Sequence, residues 1–343
     1  MRSRLTQVIA TLGVALTLGA AGLASAAEPV KVRFTLDWKF EGPAALFLLA
    51  SQNGWFAAEG LDVTIDPGNG SAGAVNRVAS GAYELGVADL NALIDFDSKN
   101  PGQAMKAVYM VHNHPPYAII ALKKSGIAKP ADLAGRKLGA PGFDAARKTW
   151  PAFAERAKVP KDSVSWISMD PSLRETMLAK GQVDAISGFA FTSVLNLGRA
   201  GVPAADLVVF SYADLGVKLY GNAVIVSPKF AAAHPDQVKG FLRALNRSVK
   251  AVAADPKAGM KALKAQDPSI DEELELKRLK LALKQNVLTP EVLADGLGGV
   301  REARLEASIE EVATSFGLPG KPKASDVFDA AYLPAARDRV VAR

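Results

Sequence analysis

The chain has no cysteine, and that absence closes several routes. No disulfide can staple the fold, no thiolate can act as nucleophile or zinc ligand, and no lipid can be attached through a cysteine behind a leader. Histidine is nearly as scarce, with only His112, His114 and His234. There is no HExxH pair and no glycine-rich loop ending in Lys-Ser or Lys-Thr, so zinc-peptidase and phosphate-loop chemistry are excluded at the motif level. His112 and His114 in "VHNHPP" would share one face of a strand, but a metal site needs further ligands that the sequence does not nominate. They read as polar residues beside a crossover between lobes, and neither a metal nor another cofactor is expected. Charge of one sign is also lacking. The 41 basic and 35 acidic residues are scattered, which does not argue for a nucleic-acid partner.

Long apolar runs are confined to the first residues. Arg2 and Arg4, an apolar run from Val8 to Leu23 broken by Gly13, Gly19 and Gly22, and "ASA" at Ala24 to Ala26 have the form of a cleavable export signal, with too little uninterrupted apolar length for an anchor. The expected product is a periplasmic protein beginning at Ala27, not embedded in the membrane. What remains is long enough for two ordinary domains, with 49% hydrophobic residues over the chain to fill their cores.

"VKVRFTLDW" places Val30, Val32, Phe34 and Leu36 at the period of a half-buried strand. A helix is predicted from Pro43 to Ala58, a glycine stop at Gly60 and a strand from Asp62 to Ile65. A pattern then recurs one hundred residues apart, in "GNGSAGAVNRVASGAYELGVADLNALI" from Gly68 and "SMDPSLRETMLAKGQVDAISGFAFTSVL" from Ser168. In each copy a polar loop opens a short helix, Gly81 or Gly181 closes it, Glu84 or Asp184 follows, and a short apolar strand leads to another loop. Two similarly built α/β lobes with mainly parallel sheets are the simplest explanation. The apolar stretches from Ala107 and from Leu219 are the predicted crossovers. They put residues 27–116 and 222–343 in lobe I and residues 117–221 in lobe II, with the helices beyond Ser227 on lobe I.

Open α/β sheets bind ligands at the carboxyl ends of their strands, so the loops there supply the candidate site. After the first strand come Trp38, whose flat face suits a planar ligand, and Glu41. After the second come Asn69 and Ser71, where a hydroxyl and free helix-start amides can donate to an oxygen. "APGFDAARK" offers Phe143, Asp144 as an N-cap, and Arg147 one turn on, able to pair a carboxylate or face solvent. The two repeat ends align Asp89 with Phe189 and Asn91 with Phe191, polar groups against aromatic ones. Tyr220 and Asn222 stand at the return crossover, where they would add to the floor.

"LDWKFEGPAALFLLASQNGWFAAEGLDVTI", "VASGAYELGVADLNALI" and "LKKSGIAKPADLAGRKLGAPG" resemble the solute-binding proteins of ABC importers related to thiamine-pyrimidine-precursor, sulfonate and nitrate binders. The resemblance runs to "DVFDAAYLP" near the end. It implies a type II periplasmic-binding-protein fold, two lobes joined by two crossover strands that close on a solute and present it to the transmembrane subunits of a permease, and a monomer. It also implies that Trp38 flanks the ligand, that Asn69 and Ser71 meet it from lobe I, and that Phe143, Asp144, Phe189 and Phe191 meet it from lobe II. Pyrimidine binders of this kind carry a histidine after the "LDW" turn and a downstream Glu in the second repeat, where this chain has Glu41 and "GFAFTS". The resemblance therefore points away from the thiamine precursor itself and, through the aromatic lining, toward a planar organic solute. An exported sensor for a signalling receptor would share every one of these features. The related eukaryotic pyrimidine synthase uses a cysteine-rich segment that this chain lacks, so no enzymatic activity is expected.

Overall fold

The computed structural model describes residues 28–341, so the expected export signal lies outside the described residues. Ten strands occur in this range: β1 (Val30–Thr35), β2 (Leu61–Asp66), β3 (Leu85–Asp89), β4 (Lys106–Met110), β5 (Tyr117–Leu122), β6 (Lys137–Ala140), β7 (Ser165–Ser168), β8 (Ala185–Phe189), β9 (Leu207–Ser211) and β10 (Asn222–Val226). They form two five-stranded sheets, ordered β2-β1-β3-β10-β4 and β7-β6-β8-β5-β9. The two orders are the same once the strand that enters from the other lobe, β10 or β5, is set apart and the remaining four strands of each sheet are counted in sequence. In the first sheet β10 runs antiparallel to both its neighbours while β1, β2 and β3 are mutually parallel. In the second, β5 holds the reversed place. In each lobe the single reversed strand is the one that has just arrived from the other lobe.

The hundred-residue repeat is a structural repeat as well. Helix Ser71–Ala79 ends before Gly81 at φ 74°, and helix Arg174–Ala179 before Gly181 at φ 69°, the left-handed conformation that glycine adopts without steric cost. Glu84 accepts from the Arg33 backbone N–H at 2.7 Å and Asp184 from that of Lys137 at 2.8 Å. Each acid thus locks the start of its strand, the central one of its sheet, to the strand beside it, β1 or β6.

Core formation follows the alternation read in β1. Val32 and Phe34 point inward and Arg33 outward. Phe34 packs on Phe47 at 4.9 Å and on Phe241 at 5.2 Å, which seats helices Ala45–Gln52 and Pro235–Ala254 on one face of the first sheet. The predicted helix from Pro43 to Ala58 is broken. A 3-10 turn at Gly42–Ala44 precedes helix Ala45–Gln52, and Gly54 at φ 67° ends it before the short helix Trp55–Ala58. Asn53-Gly54 supplies the left-handed turn that apolar periodicity alone does not register.

The C-terminal helices do more than cover lobe I. Helix Glu302–Phe316 packs on both helix Leu90–Lys99 and helix Trp150–Ala157, and Leu305, Ile309 and Val312 belong to an apolar cluster that continues into lobe II through Trp150 and Phe153.

Candidate functional site

Between the two sheets, at the carboxyl ends of their parallel strands, lies a cleft with about 900 Å³ of empty space, open to solvent at its mouth. The first βα turn supplies Asp37, Trp38 and Glu41. The loop after β2 supplies Gly70 and Ser71. Lobe II contributes Phe143, Asp144, Arg174, Phe189, Phe191 and Thr192, and the crossovers contribute His112 and Asn222.

One wall is aromatic. Phe189 and Phe191 meet edge to face at 5.8 Å, and the His112 ring stands edge-on to both at 6.4 and 6.1 Å. Phe143 reaches across to lobe I so closely that a Cβ placed on Gly70 would lie 2.8 Å from its ring. That approach, together with φ 136° at Gly70, explains why glycine precedes helix Ser71–Ala79. With no side chain there, the first amides of the helix carry no side-chain cap.

Lobe I brings two carboxylates to the cleft. Asp37 is enclosed by Asn222, whose Nδ2 donates at 2.7 Å, and by Ser71, whose Oγ donates at 3.2 Å. Burial raises its carboxyl from the ordinary 3.8 to about 6 despite those donors. Burial likewise raises Glu41, with Arg278 opposing. Glu41 accepts from Trp38 Nε1 at 3.3 Å and, across the cleft, from Thr192 Oγ1 at 3.1 Å. Arg174, the buried cation of the lining, is already committed, to Glu175 at 2.8 Å and to Asp144 at 3.6 Å.

The Asp37 environment gives a pH test. Its folded value lies above its unfolded one, so burial costs nothing below about pH 4, where both states are protonated, and costs most above about pH 6. Asp37→Asn is therefore expected to melt with the parent below about pH 4 and to gain stability over it through pH 4 to 6, on the order of 3 kcal/mol at neutral pH. Parallel melting curves across pH 3.5 to 8 read that gap; a gap independent of pH would refute the assignment.

The profile of the family described as NMT1/THI5 like matches residues 43–259. The chain belongs to the NMT1/THI5-like family. Among curated relatives, a putative thiamine biosynthesis protein of Haemophilus influenzae is 25% identical over 241 residues, 70% of this chain and 74% of that protein. A 4-amino-5-hydroxymethyl-2-methylpyrimidine phosphate synthase of Schizosaccharomyces pombe is 25% identical over 245 residues, 66% of each chain. Among solved structures, the alkanesulfonate-binding protein of Xanthomonas axonopodis pv. citri bound to MOPS superposes with a TM-score of 0.67 at 18% identity, covering 88% of this chain and 99% of that one. The fold is that of the periplasmic binding proteins, as the resemblance implied.

Of the residues nominated from sequence, this NMT1/THI5-like chain brings Trp38, Glu41, Ser71, Phe143, Asp144, Phe189, Phe191 and Asn222 to the cleft. Asp144 caps its helix as expected, accepting from Arg147 N at 2.8 Å. Five others lie elsewhere. Asn69 is exposed, its Oδ1 turned back toward Gly73 of the following helix. Asp89 is fully buried beneath the cleft, where it caps helix Leu90–Lys99 and accepts from the Tyr117 hydroxyl. Asn91 is held by Tyr117 at 3.0 Å and by the Tyr220 carbonyl at 3.4 Å. Arg147 neither pairs a carboxylate in the cleft nor stands free in solvent: it donates to Ala140 O at 3.1 Å and Ser168 Oγ at 2.9 Å and stacks over Trp166. Tyr220 turns away from the floor, donating to Glu291 at 2.7 Å under the Arg304 guanidinium.

Sequence reasoning missed Asp37, Arg174 and His112. Asp37 stood in the nominated turn but gave way to its aromatic neighbour. Residues 111–116 are not a strand, so the two histidine rings do not share a face. His112 goes to the cleft, whereas His114 is bound through its backbone to Asn286.

Proposed function

We propose that this chain is the periplasmic solute-binding component of an ABC importer, capturing a small planar organic solute between its lobes and delivering it to a membrane permease. The observation that carries the reading is that Trp38 of lobe I and Phe143, Phe189 and Phe191 of lobe II line one cleft between two lobes joined through short crossovers. Such a cleft offers stacking faces to a flat ring, and a ligand touching both lobes favours the closed form by its differential affinity. No helix among the described residues is long and apolar enough to cross a membrane, in keeping with a partner that carries the transmembrane part. Arg174 is committed to its two acids and the other cation of the lining, Lys39, is exposed, so no buried free cation of the lining is left to hold a small inorganic anion. The uncapped helix start at Ser71 favours, as a second reading, an aromatic carboxylate or sulfonate whose acid group rests on those amides.

Thermal-shift screening of protein stripped by unfolding and refolding, against 4-aminopyrimidine, benzoate, benzenesulfonate, taurine and nitrate, tests the reading through ligand stabilisation. A planar organic solute is expected to raise the melting temperature; stabilisation by nitrate alone would refute the planar solute. Trp38→Ala and Phe189→Ala are each expected to weaken binding by about 1–3 kcal/mol without unfolding the protein, measured by calorimetry. The synthase name carried by relatives is addressed in the same samples, since a binding protein returns its solute chemically unchanged after prolonged incubation.

A further inference from the structure

Two polar atoms on the hinge side of the cleft, His112 Nδ1 and Asn222 Oδ1, are buried without any hydrogen-bond partner in the protein. Both residues line the cleft, and they are only 4% and 3% exposed. Each comes from a different crossover, and backbone bonds pin the two together: His112 N donates to Asn222 O at 2.9 Å, and Gly221 N donates to His112 O at 2.9 Å. The Asn222 amide is oriented by Asp37, which takes its NH2 group at 2.7 Å and leaves the carbonyl oxygen unused. Burial lowers the His112 imidazole to about 4, so at neutral pH it is an uncharged ring with one donor and one acceptor. Orphaned polar atoms at such depth cost stability, and apolar side chains of similar volume would avoid that cost. Of the orphaned buried side-chain atoms among the described residues, these are the two whose residues line the cleft, and the His112 ring stands edge-on to the aromatic wall, so a bound solute is the partner within reach of this pair of residues.

The charges nearby restrict what completes it. Asp37 stands behind Asn222 and the Asn222 carbonyl is itself an acceptor, so a carboxylate or sulfonate at this end would meet negative charge. Arg174 is occupied by Asp144 and Glu175. We propose that His112 and Asn222 read the polar edge of the bound solute, and that this edge is uncharged, with an N–H or O–H donor for the Asn222 carbonyl beside a group that bonds the His112 imidazole. This deepens, and rests on, the solute-binding reading above. Because one side chain comes from each crossover, the same contacts tie the solute directly to the hinge.

The test uses the full mature chain and its His112→Leu and His112→Gln variants, with 4-aminopyrimidine as the uncharged probe and benzoate as the anionic one. Ligand-free His112→Leu is expected to melt at or above the parent temperature, since it removes an orphaned polar group. It should bind 4-aminopyrimidine at least tenfold more weakly, with partial recovery in His112→Gln, while benzoate, which offers no donor to this edge, should lose clearly less than 4-aminopyrimidine does. Equal affinity of parent and His112→Leu for 4-aminopyrimidine would overturn the role of His112 and leave the planar-solute reading standing. Tight binding of benzoate with none of 4-aminopyrimidine would overturn the uncharged edge. Failure of the parent to bind any planar probe would count against the solute reading itself. The ligand-free melts would then decide for His112 alone, a drop of several degrees in His112→Leu marking a structural histidine and overturning the proposal.

Discussion

Arg278→Met is expected to destabilise the protein by about 3–5 kcal/mol, the range for removing one partner of a buried ion pair, and to leave the two lobes further apart in solution. Arg278 is 1% exposed. Its Nε bonds Glu275 at 2.9 Å, its Nη1 lies 3.4 Å from Glu41, and its Nη2 reaches Asn196 Oδ1 at 3.1 Å. The same guanidinium lies 3.4 and 3.3 Å from the carbonyls of Phe191 and Thr192. It therefore joins helix Glu272–Ala282, which packs beside lobe I, to helix Ala190–Arg199 of lobe II, immediately behind two residues of the cleft wall. Methionine fills much of the volume but leaves Glu275 and Glu41 buried without their cation. Glu275 still accepts from Gly42 N at 2.6 Å, so Arg278→Met with Glu275→Gln should recover part of the loss. Urea melts of the single and double variants measure the coupling, and small-angle scattering reads the lobe separation. An unchanged radius of gyration with reduced stability would mean that the residue holds helices together but does not latch the lobes.

Arg278 also shows why one level of the molecule was legible in sequence and another was not. The repeat at Gly68 and Ser168 could be read because it rests on local chemistry: a glycine in the left-handed region, an acid that locks a strand start, and a short apolar run. Those features recur wherever the same local geometry recurs, so matching strand orders in the two sheets followed from them. The aromatic residues of the cleft were legible for a related reason, since strand ends in an α/β fold are where ligands are met. Arg278 sits in "DEELELKRLKLALKQ", among charges that on any isolated helix would face water. Only the arrival of lobe II against that helix turns the position inward, and that contact is long-range.

The nominations that went elsewhere share a cause. Asp89, Asn91 and Tyr220 were placed correctly along the chain, at strand ends and a crossover, but a strand end has two directions in which a side chain can point. Asp89 is drawn into capping and toward the Tyr117 hydroxyl, Asn91 toward the Tyr220 carbonyl, and Tyr220 toward Glu291. Each found a hydrogen-bond partner beneath the cleft, Asn91 through its NH2 group with its Oδ1 left unpaired there, and polar groups that find partners in the protein are not left for a ligand. His112 is the converse. Its partner is missing, and that can be seen only when every neighbour is in place.

Arg174→Ala is expected to cost about 3–5 kcal/mol as well, through the second buried cation and by a different route. The guanidinium lies along Gly188 of β8, so near that a Cβ there would stand 2.6 Å from Nη1. It donates through Nε and Nη2 to Glu175 Oε1 at 2.9 and 2.8 Å and approaches Asp144 Oδ2 at 3.6 Å. Ser193 and Ser187 hydroxyls donate to those same acids at 2.7 Å each, and two neutral donors do not replace a cation between two buried carboxylates. Arg174→Lys should restore little, because an ammonium on a flexible stem cannot span both acids as the planar fork does. Arg174→Ala with Glu175→Gln should regain more stability than Arg174→Lys, since it removes one of the stranded charges. Asp144 caps helix Ala145–Lys148 behind Phe143, so the single variant is also expected to loosen the aromatic wall and weaken binding of any planar probe. Denaturant melts of the three variants rank the effects. If Arg174→Lys matched the parent, the site would need only positive charge, and the fork geometry assigned to this part of the cleft would be wrong.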